Sequence, residues 1–214
     1  MSFIAPRGRV CVIFGAGPFD LPEFDLRQMM GKNPLIICAD GGLRNALKAG
    51  FEPGIVIGDF DSGDAPRDIP VIRLPAEKDE TDLRVCAKYG LEAGCATFYI
   101  LCCTGGRLDH FLANVYMLEF LHKNGASGYL LDSRNIIGFM GGESRLEFYP
   151  HDGFDFVSLI PLEDAGGITL DGLKYPLNAA LLTRDNAVGV SNEPAGGKIK
   201  IELGWGNLFI VLSK

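Results

Sequence analysis

Ile55-Val56-Ile57-Gly58-Asp59-Phe60-Asp61-Ser62 is a run of β-branched residues, a glycine, and two aspartates one residue apart. Branched side chains at three successive positions favour a short buried strand, and Gly58 ends it. In an extended backbone, positions i and i+2 project to the same side. Asp59 and Asp61 would then aim their carboxylates at one point while Phe60 packs the other way. Convergent carboxylates at a strand end suit a hard cation such as Mg²⁺, which takes oxygen ligands and shares them with phosphate. A polar turn, with the two aspartates capping loop amides, accounts for this stretch equally well. The flanking sequence decides between the two.

Upstream, Val10 to Phe14 reads as a buried strand followed by Gly15-Ala16-Gly17-Pro18. This turn lacks the third glycine of a dinucleotide fingerprint and reads as a tight strand-to-helix connection. Residues Leu21 to Met30 look helical. Leu35 to Ala39 is a second strand ending in Asp40-Gly41-Gly42, and Leu43 to Ala49 a short helix closed by Gly50 at the C′ position. Downstream, Val71 to Leu74 is another strand. Glu77-Lys78-Asp79-Glu80-Thr81-Asp82 then leads into a helix over residues 80–91, with Asp79 as N-cap and Asp82 in the first turn. Ordinary capping by acids also explains that cluster. Thr97 to Cys103 is the next strand. Thr104-Gly105-Gly106-Arg107-Leu108-Asp109-His110 opens a helix over 108–122. Its glycines allow backbone to approach a ligand, and Arg107 offers a planar fork for phosphate. A plain Gly-Gly turn is the alternative, and His110 by itself reads as a structural hydrogen-bonder.

Strand, turn and helix thus alternate to about residue 132, which predicts a mostly parallel sheet with helices on both faces. In such a sheet the turns after the strands gather at one edge, the ligand-binding crevice of open α/β folds. Asp40, Asp59, Asp61, Asp79, Asp82, Arg107 and Asp109 all fall there. Four acidic turns at one edge favour a Mg²⁺–phosphate site over coincidence.

From about Asn135 the helical periodicity disappears. Short apolar segments recur between turn clusters such as Pro150-His151-Asp152-Gly153 and Gly204-Trp205-Gly206, the pattern of an all-β sandwich-like domain. The expected domains are residues 1–134 and 135–214. With 214 residues the chain is long enough for two such units, and its net charge of −7 argues against general nucleic-acid binding. The six cysteines form no C-x-x-C pair, and the histidines are not spaced as zinc partners. Buried thiols in a reducing cytoplasm are the expected state. The first apolar run is too short to span a membrane.

Taken together, Ala39-Asp40-Gly41-Gly42, Gly58-Asp59-Phe60-Asp61-Ser62, Lys78-Asp79-Glu80-Thr81-Asp82, Gly105-Gly106-Arg107-Leu108-Asp109-His110, Gly172-Leu173-Lys174-Tyr175-Pro176-Leu177 and Val190-Ser191-Asn192-Glu193 resemble, in order, the thiamine pyrophosphokinase family in its bacterial form. The resemblance implies an enzyme that transfers the pyrophosphoryl group of ATP to the hydroxyl of thiamine, giving thiamine diphosphate and AMP. It implies an ATP- and Mg²⁺-binding α/β domain, then a thiamine-binding and dimerisation β domain, in a homodimer with active sites between subunits. By the same resemblance, Asp59, Asp61 and Asp82 hold Mg²⁺. Asp40, Lys78, Asp79, Thr81, Arg107 and His110 bind ATP, and Asp59, Asp61, Asp82, Arg107 and Asp109 serve catalysis. Ser191 and Asn192, with Tyr175 nearby, hold the thiamine pyrimidine ring.

The alcohol proton would pass to Asp82 or Asp109; the sequence leaves both open. Ser191 and Asn192 follow the apolar stretch Ala187 to Val190, which reads as a strand end, and a Ser or Asx turn before Pro194 is their alternative role. The rival functions are a pyrophosphokinase for another heterocyclic alcohol of the pterin type, and a non-catalytic nucleotide or thiamine sensor.

Overall fold

The computed structural model describes residues 3–61, 65–77, 79–150 and 153–214. The chain divides into two compact units, Pro6–Ser133 and Arg134–Lys214, and the short N-terminal segment Met1–Ala5 groups with the second. Lys78 and Ser62 lie outside the described residues.

The first unit carries β1 (Arg9–Phe14), β2 (Leu35–Ala39), β3 (Ile55–Gly58), β4 (Val71–Arg73), β5 (Cys95–Leu101) and β6 (Ser127–Leu131), with helices α1 (Gly42–Lys48), α2 (Asp82–Glu92) and α3 (Leu108–Lys123). These strands lie in the order β4-β3-β2-β1-β5-β6, and every pairing is parallel. The order reverses between β1 and β5, so the crevice expected of an open α/β sheet falls at their carboxyl ends.

Val10 to Phe14 are all buried, as a strand covered on both faces requires. On the Cys11 side, α2 is pressed so close that a Cβ on Gly90 would meet the Phe98 ring at 2.5 Å and the Cys11 sulfur at 3.1 Å. On the opposite side the Phe51 ring packs on Phe14 at 5.3 Å. Each fully buried Ile, Leu or Phe here contributes roughly 1.5–3 kcal/mol relative to exposure. All six cysteines are free and buried. No helix among the described residues is long and apolar enough to cross a membrane.

The second unit is antiparallel. Its strands are β7 (Asn135–Gly141), β8 (Ser144–Phe148), β9 (Phe156–Pro161), β10 (Ala165–Asp171), β11 (Leu177–Leu182), β12 (Ile199–Leu203) and β13 (Asn207–Ser213). They form the runs β7-β13-β9 and β11-β10-β12-β8. Alternate residues turn inward, so that Ile199, Ile201 and Leu203 of β12 are buried. Phe3 stacks on Phe148 at 5.1 Å, which is why the N-terminal segment belongs with this unit.

Three local readings need correction. Of residues 21–30 only Leu26–Met29 is helical, a 3₁₀ turn in which the Asp25 carboxylate accepts the Arg27 amide; Pro18 and Pro22 keep the preceding segment from helix. The N-cap of α2 is Thr81, whose hydroxyl accepts from the Arg84 amide at 3.3 Å, and not Asp79. Ala187–Gly189 is a 3₁₀ turn, so Ser191 and Asn192 do not follow a strand.

Candidate active site

Asp40, Asp59 and Asp61 stand at the carboxyl ends of the adjacent strands β2 and β3. Each offers a carboxylate oxygen within 4.8 Å of the others. The route to this convergence differs from simple strand alternation. Phe60, between the two aspartates, has φ 58°, a left-handed conformation rare outside glycine. The chain therefore kinks at Phe60 rather than continuing extended. Asp40 is also left-handed, at φ 44°. Its Oδ1 accepts the Phe60 amide at 3.2 Å, and its own amide donates to the Ile57 carbonyl at 2.8 Å. Asp40 thus clamps the turn that presents the other two carboxylates. Gly58 makes the clamp possible, because a Cβ there would lie 2.7 Å from the Asp40 Cβ. Non-glycine residues held in this region cost about 1–3 kcal/mol each and cluster at functional sites.

Asp40 also lines a cleft of about 680 Å³ in the same unit, together with Thr81, Asp82, Arg107 and His110. The sequence placed these five after three different strands, and the fold brings them to one opening. Asp82 sits in the first turn of α2, with its Oδ1 buried. The third member of the carboxylate group is Asp40, however, where the resemblance implied Asp82. Asp79 is exposed ahead of α2 and is not among the cleft-lining residues.

Arg107 and Asp109 form a two-point pair on the cleft's outer lip. Arg107 Nε donates to Asp109 Oδ1 at 3.1 Å and Nη2 to Oδ2 at 2.6 Å. The His110 amide donates to the same Oδ1 at 2.9 Å. The guanidinium, aided by that amide, pulls the Asp109 carboxyl down to about 2, the expected effect of donors that stabilise the charged form.

The floor of the cleft was not legible in the sequence. The turn after β1 gives up its amides to β5: Gly15 donates to the Leu101 carbonyl at 2.9 Å and Gly17 to that of Cys102 at 3.0 Å. The turn is as tight as Gly15-Ala16-Gly17-Pro18 predicts, but it does not lead into a helix as expected, the next helical turn being Leu26–Met29. Pro18 in turn supports the Arg107 loop, since a Cβ on Gly105 would lie 2.9 Å from the Pro18 ring. Two buried asparagines brace these turns. Asn45 donates to the Gly15 and Gly17 carbonyls, both at 2.9 Å, and Asn114 donates to that of Cys103 at 3.0 Å. An asparagine inside a helix carries no signal of such a role, because its partners are distant in sequence.

In the second unit, Tyr175, Ser191 and Asn192 are neighbours. Asn192 is buried and clasps the opposite loop: its Oδ1 accepts the Tyr175 and Glu193 amides, each at 3.0 Å, and its Nδ2 donates to the Tyr175 carbonyl at 2.8 Å. The side-chain amide expected at the pyrimidine ring is thus held by backbone. Ser191 has φ 59°, its amide donates to Ser158 Oγ at 2.9 Å, and its side chain and the Tyr175 ring are exposed.

Comparison with known proteins agrees with this organisation. Residues 26–130 match the family model "Thiamin pyrophosphokinase, catalytic domain" and residues 143–208 match "Thiamin pyrophosphokinase, vitamin B1 binding domain". A thiamine pyrophosphokinase of Bacillus subtilis is 35% identical over 190 residues, covering 85% of this chain and 87% of that protein. The crystal structure of thiamine pyrophosphokinase from Bacillus subtilis superposes with a TM-score of 0.87 at 29% identity, over 96% of this chain and 99% of that one. The Geobacillus thermodenitrificans enzyme gives 0.83 at 29% identity, over 96% and 97%. Yeast thiamin pyrophosphokinase, at 15% identity, shares the fold with a TM-score of 0.78, over 98% and 88%. With both family models matched along the chain and a relative this similar over most of its length, the chain belongs to the thiamine pyrophosphokinase family.

Proposed function

We infer that the protein transfers the pyrophosphoryl group of ATP to the hydroxyl of thiamine, giving thiamine diphosphate and AMP. The observation that carries this reading is the carboxylate group of Asp40, Asp59 and Asp61 beside a cleft whose lip bears Arg107. Three hard oxygen donors at that spacing fit Mg²⁺. Bound there with MgATP, the ion would neutralise phosphate charge as the transfer proceeds.

The chain's own residues do the rest. In the reaction, the thiamine hydroxyl oxygen bonds to the β-phosphorus of ATP as the α–β bridging bond breaks. AMP leaves with the electron pair, and the alcohol proton passes to a base or to solvent. Such transfers need positioning and electrostatic stabilisation more than covalent help. Arg107 supplies a fork for phosphate oxygens once it exchanges its bonds to Asp109. Thr81 and His110 line the nucleotide side, and Lys78 and Asp79 belong to the segment that leads into it. Of the two candidate proton acceptors, Asp82 faces the cleft while Asp109 is engaged by Arg107. The cationic thiazolium of thiamine is drawn to so acidic a site. Ser191, beside Asn192, presents a hydroxyl to the pyrimidine, and Tyr175, on the loop that Asn192 clasps, presents an aromatic face.

A homodimer in the cytoplasm completes the reading. On α3, Leu108, Leu112 and Tyr116 are 76%, 53% and 51% exposed. They recur at one face of the helix and begin beside Arg107. A second copy of the chain would cover this stripe, which lies on the α/β unit, whereas the resemblance implied dimerisation through the β domain. Sedimentation of wild type and Leu112→Glu tests it: a dimer lost in the variant is the expected result.

The activity itself is tested by mixing the protein with MgATP and thiamine and measuring AMP and thiamine diphosphate in equal amounts. A hydroxymethylpterin in place of thiamine should give none. Turnover of the pterin alone would favour the rival pyrophosphokinase, and binding without AMP formation would favour a sensor.

A further inference from the structure

We propose that Asn45 is a positioning residue for nucleotide use, setting the distance between the two walls of the cleft. It stands one turn into α1, which begins directly after Asp40, and is only 7% exposed. The helix start is jammed against the end of β1: a Cβ on Gly42 would lie 2.0 Å from the Phe14 carbonyl oxygen. That close approach brings the Asn45 side chain under the turn that follows β1. Its Nδ2 donates to Gly15 O and Gly17 O at 2.9 Å each. Both partners are carbonyl oxygens, so only the NH₂ end of the amide can face them. A carboxylate of the same shape would set lone pairs against lone pairs.

The contact has a mechanical consequence. Gly15 and Gly17 are also bonded to Leu101 and Cys102 at the end of β5, so Asn45 closes a loop of hydrogen bonds from α1 through the turn to β5. Pro18 follows directly, and the Gly105 backbone rests on its ring. Asp40 lies at one end of this chain of contacts and Arg107 at the other, and both border the cleft. Asn45 touches neither phosphate-facing group. It acts through the seating of Pro18, which fixes where the Gly105-Gly106-Arg107 loop stands relative to Asp40. Transfer chemistry is sensitive to displacements of this kind, with about 1 Å costing up to ~100-fold.

The inference rests on the assignment of this cleft to MgATP, and the test separates the two. Asn45→Ala removes both donors; Asn45→Ser retains a single hydroxyl donor; Asn45→Asp keeps the shape but inverts the polarity. Far-ultraviolet circular dichroism and a cooperative melt establish which variants fold. Binding of a fluorescent ATP analogue by wild-type protein, competed by MgATP, establishes the cleft ligand independently of Asn45. The expected result is a KM for MgATP raised ~10-fold or more in Asn45→Ala, KM for thiamine changed less than ~2-fold, and partial recovery in Asn45→Ser. Gly105→Ala, which crowds Pro18 from the other side, should be non-additive with Asn45→Ala in its effect on KM for MgATP, as expected of coupled positions. If folded Asn45→Ala and Asn45→Ser both keep the wild-type KM for MgATP, or the Gly105→Ala pair is additive, Asn45 only stabilises the fold and the proposal is wrong. Failure of the wild type to bind the analogue would instead reject the nucleotide assignment.

Discussion

Asp40 and Gly58 occupy adjacent strand ends so closely that a single methyl on Gly58 would sit 2.7 Å from the Asp40 Cβ and 2.8 Å from its Oδ1. The glycine is a steric condition for the carboxylate group rather than a flexible joint. Gly58→Ala should displace Asp40 and with it the turn at Phe60. Overpacking of this kind costs about 1–3 kcal/mol, so the protein should still fold with a lowered Tm. Turnover should fall by ~100-fold, the scale of a misplaced reacting group. Wild-type kcat in a folded Gly58→Ala variant would show that the Asp40 position does not matter to the reaction.

Asp61→Asn and Asp59→Asn each remove a charged ligand while keeping side-chain shape. Both residues stand near the surface, so the melting temperature should hardly change. AMP formation should drop by ~100-fold or more, the loss typical of one electrostatic partner of the transition state. The Mg²⁺ concentration for half-maximal rate should rise as well. Activity restored to normal by saturating Mg²⁺ and ATP would confine these residues to assisting metal loading.

The Arg107–Asp109 pair makes a prediction about pH. The Asp109 carboxyl is held at about 2 by Arg107 and the His110 amide, below the ordinary value of ~3.9. A depressed acid stabilises the folded state above its ordinary value, and that contribution disappears as pH falls through about 2. The pair is therefore fully ionised across the neutral range, and Asp109 does not produce an acid limb of activity between pH 5 and 8. Carboxyl titration by NMR should place Asp109 near 2 in wild type and closer to ~3.9 in Arg107→Ala. Arg107→Lys, which keeps charge but not the fork, should raise KM for MgATP with little change in Tm.

In the β domain, Asn192 and Ser191 should part company. Asn192→Ala strips partners from Tyr175 and Glu193 and should cost about 2–3 kcal/mol, as expected when buried backbone groups lose their bonds. Its effect on thiamine use will be mixed with that loss of stability. Ser191→Ala leaves the clasp intact and should raise KM for thiamine several-fold at an unchanged Tm. In heterodimers of Ser191→Ala and Asp59→Asn, verified by mass, the working site should show the wild-type KM for thiamine; the raised KM of Ser191→Ala would show that the active site is not shared between subunits.

Much of this protein follows from local sequence. The apolar runs of β1, β2 and β3, each stopped by Asp or Gly, and the run of β5, which ends at Cys102-Cys103-Thr104, specify strands whose ends must share one edge once helices intervene. That alone collects Asp40, Asp59, Asp61, Asp82 and Arg107 into one region, because edge position depends only on chain order. Which carboxylates converge is a different matter. Asp40 joins Asp59 and Asp61 because β2 is hydrogen-bonded beside β3, while Asp82 reaches the cleft from the first turn of α2. Neither fact is encoded in spacing along the chain. The left-handed turn at Phe60 is held by an acceptor twenty residues away, and the clasps of Asn45 and Asn192 join segments that become neighbours only after the strands have paired. Local propensity is a property of adjacent residues, whereas a hydrogen bond between distant ones exists only once the tertiary structure has closed the distance.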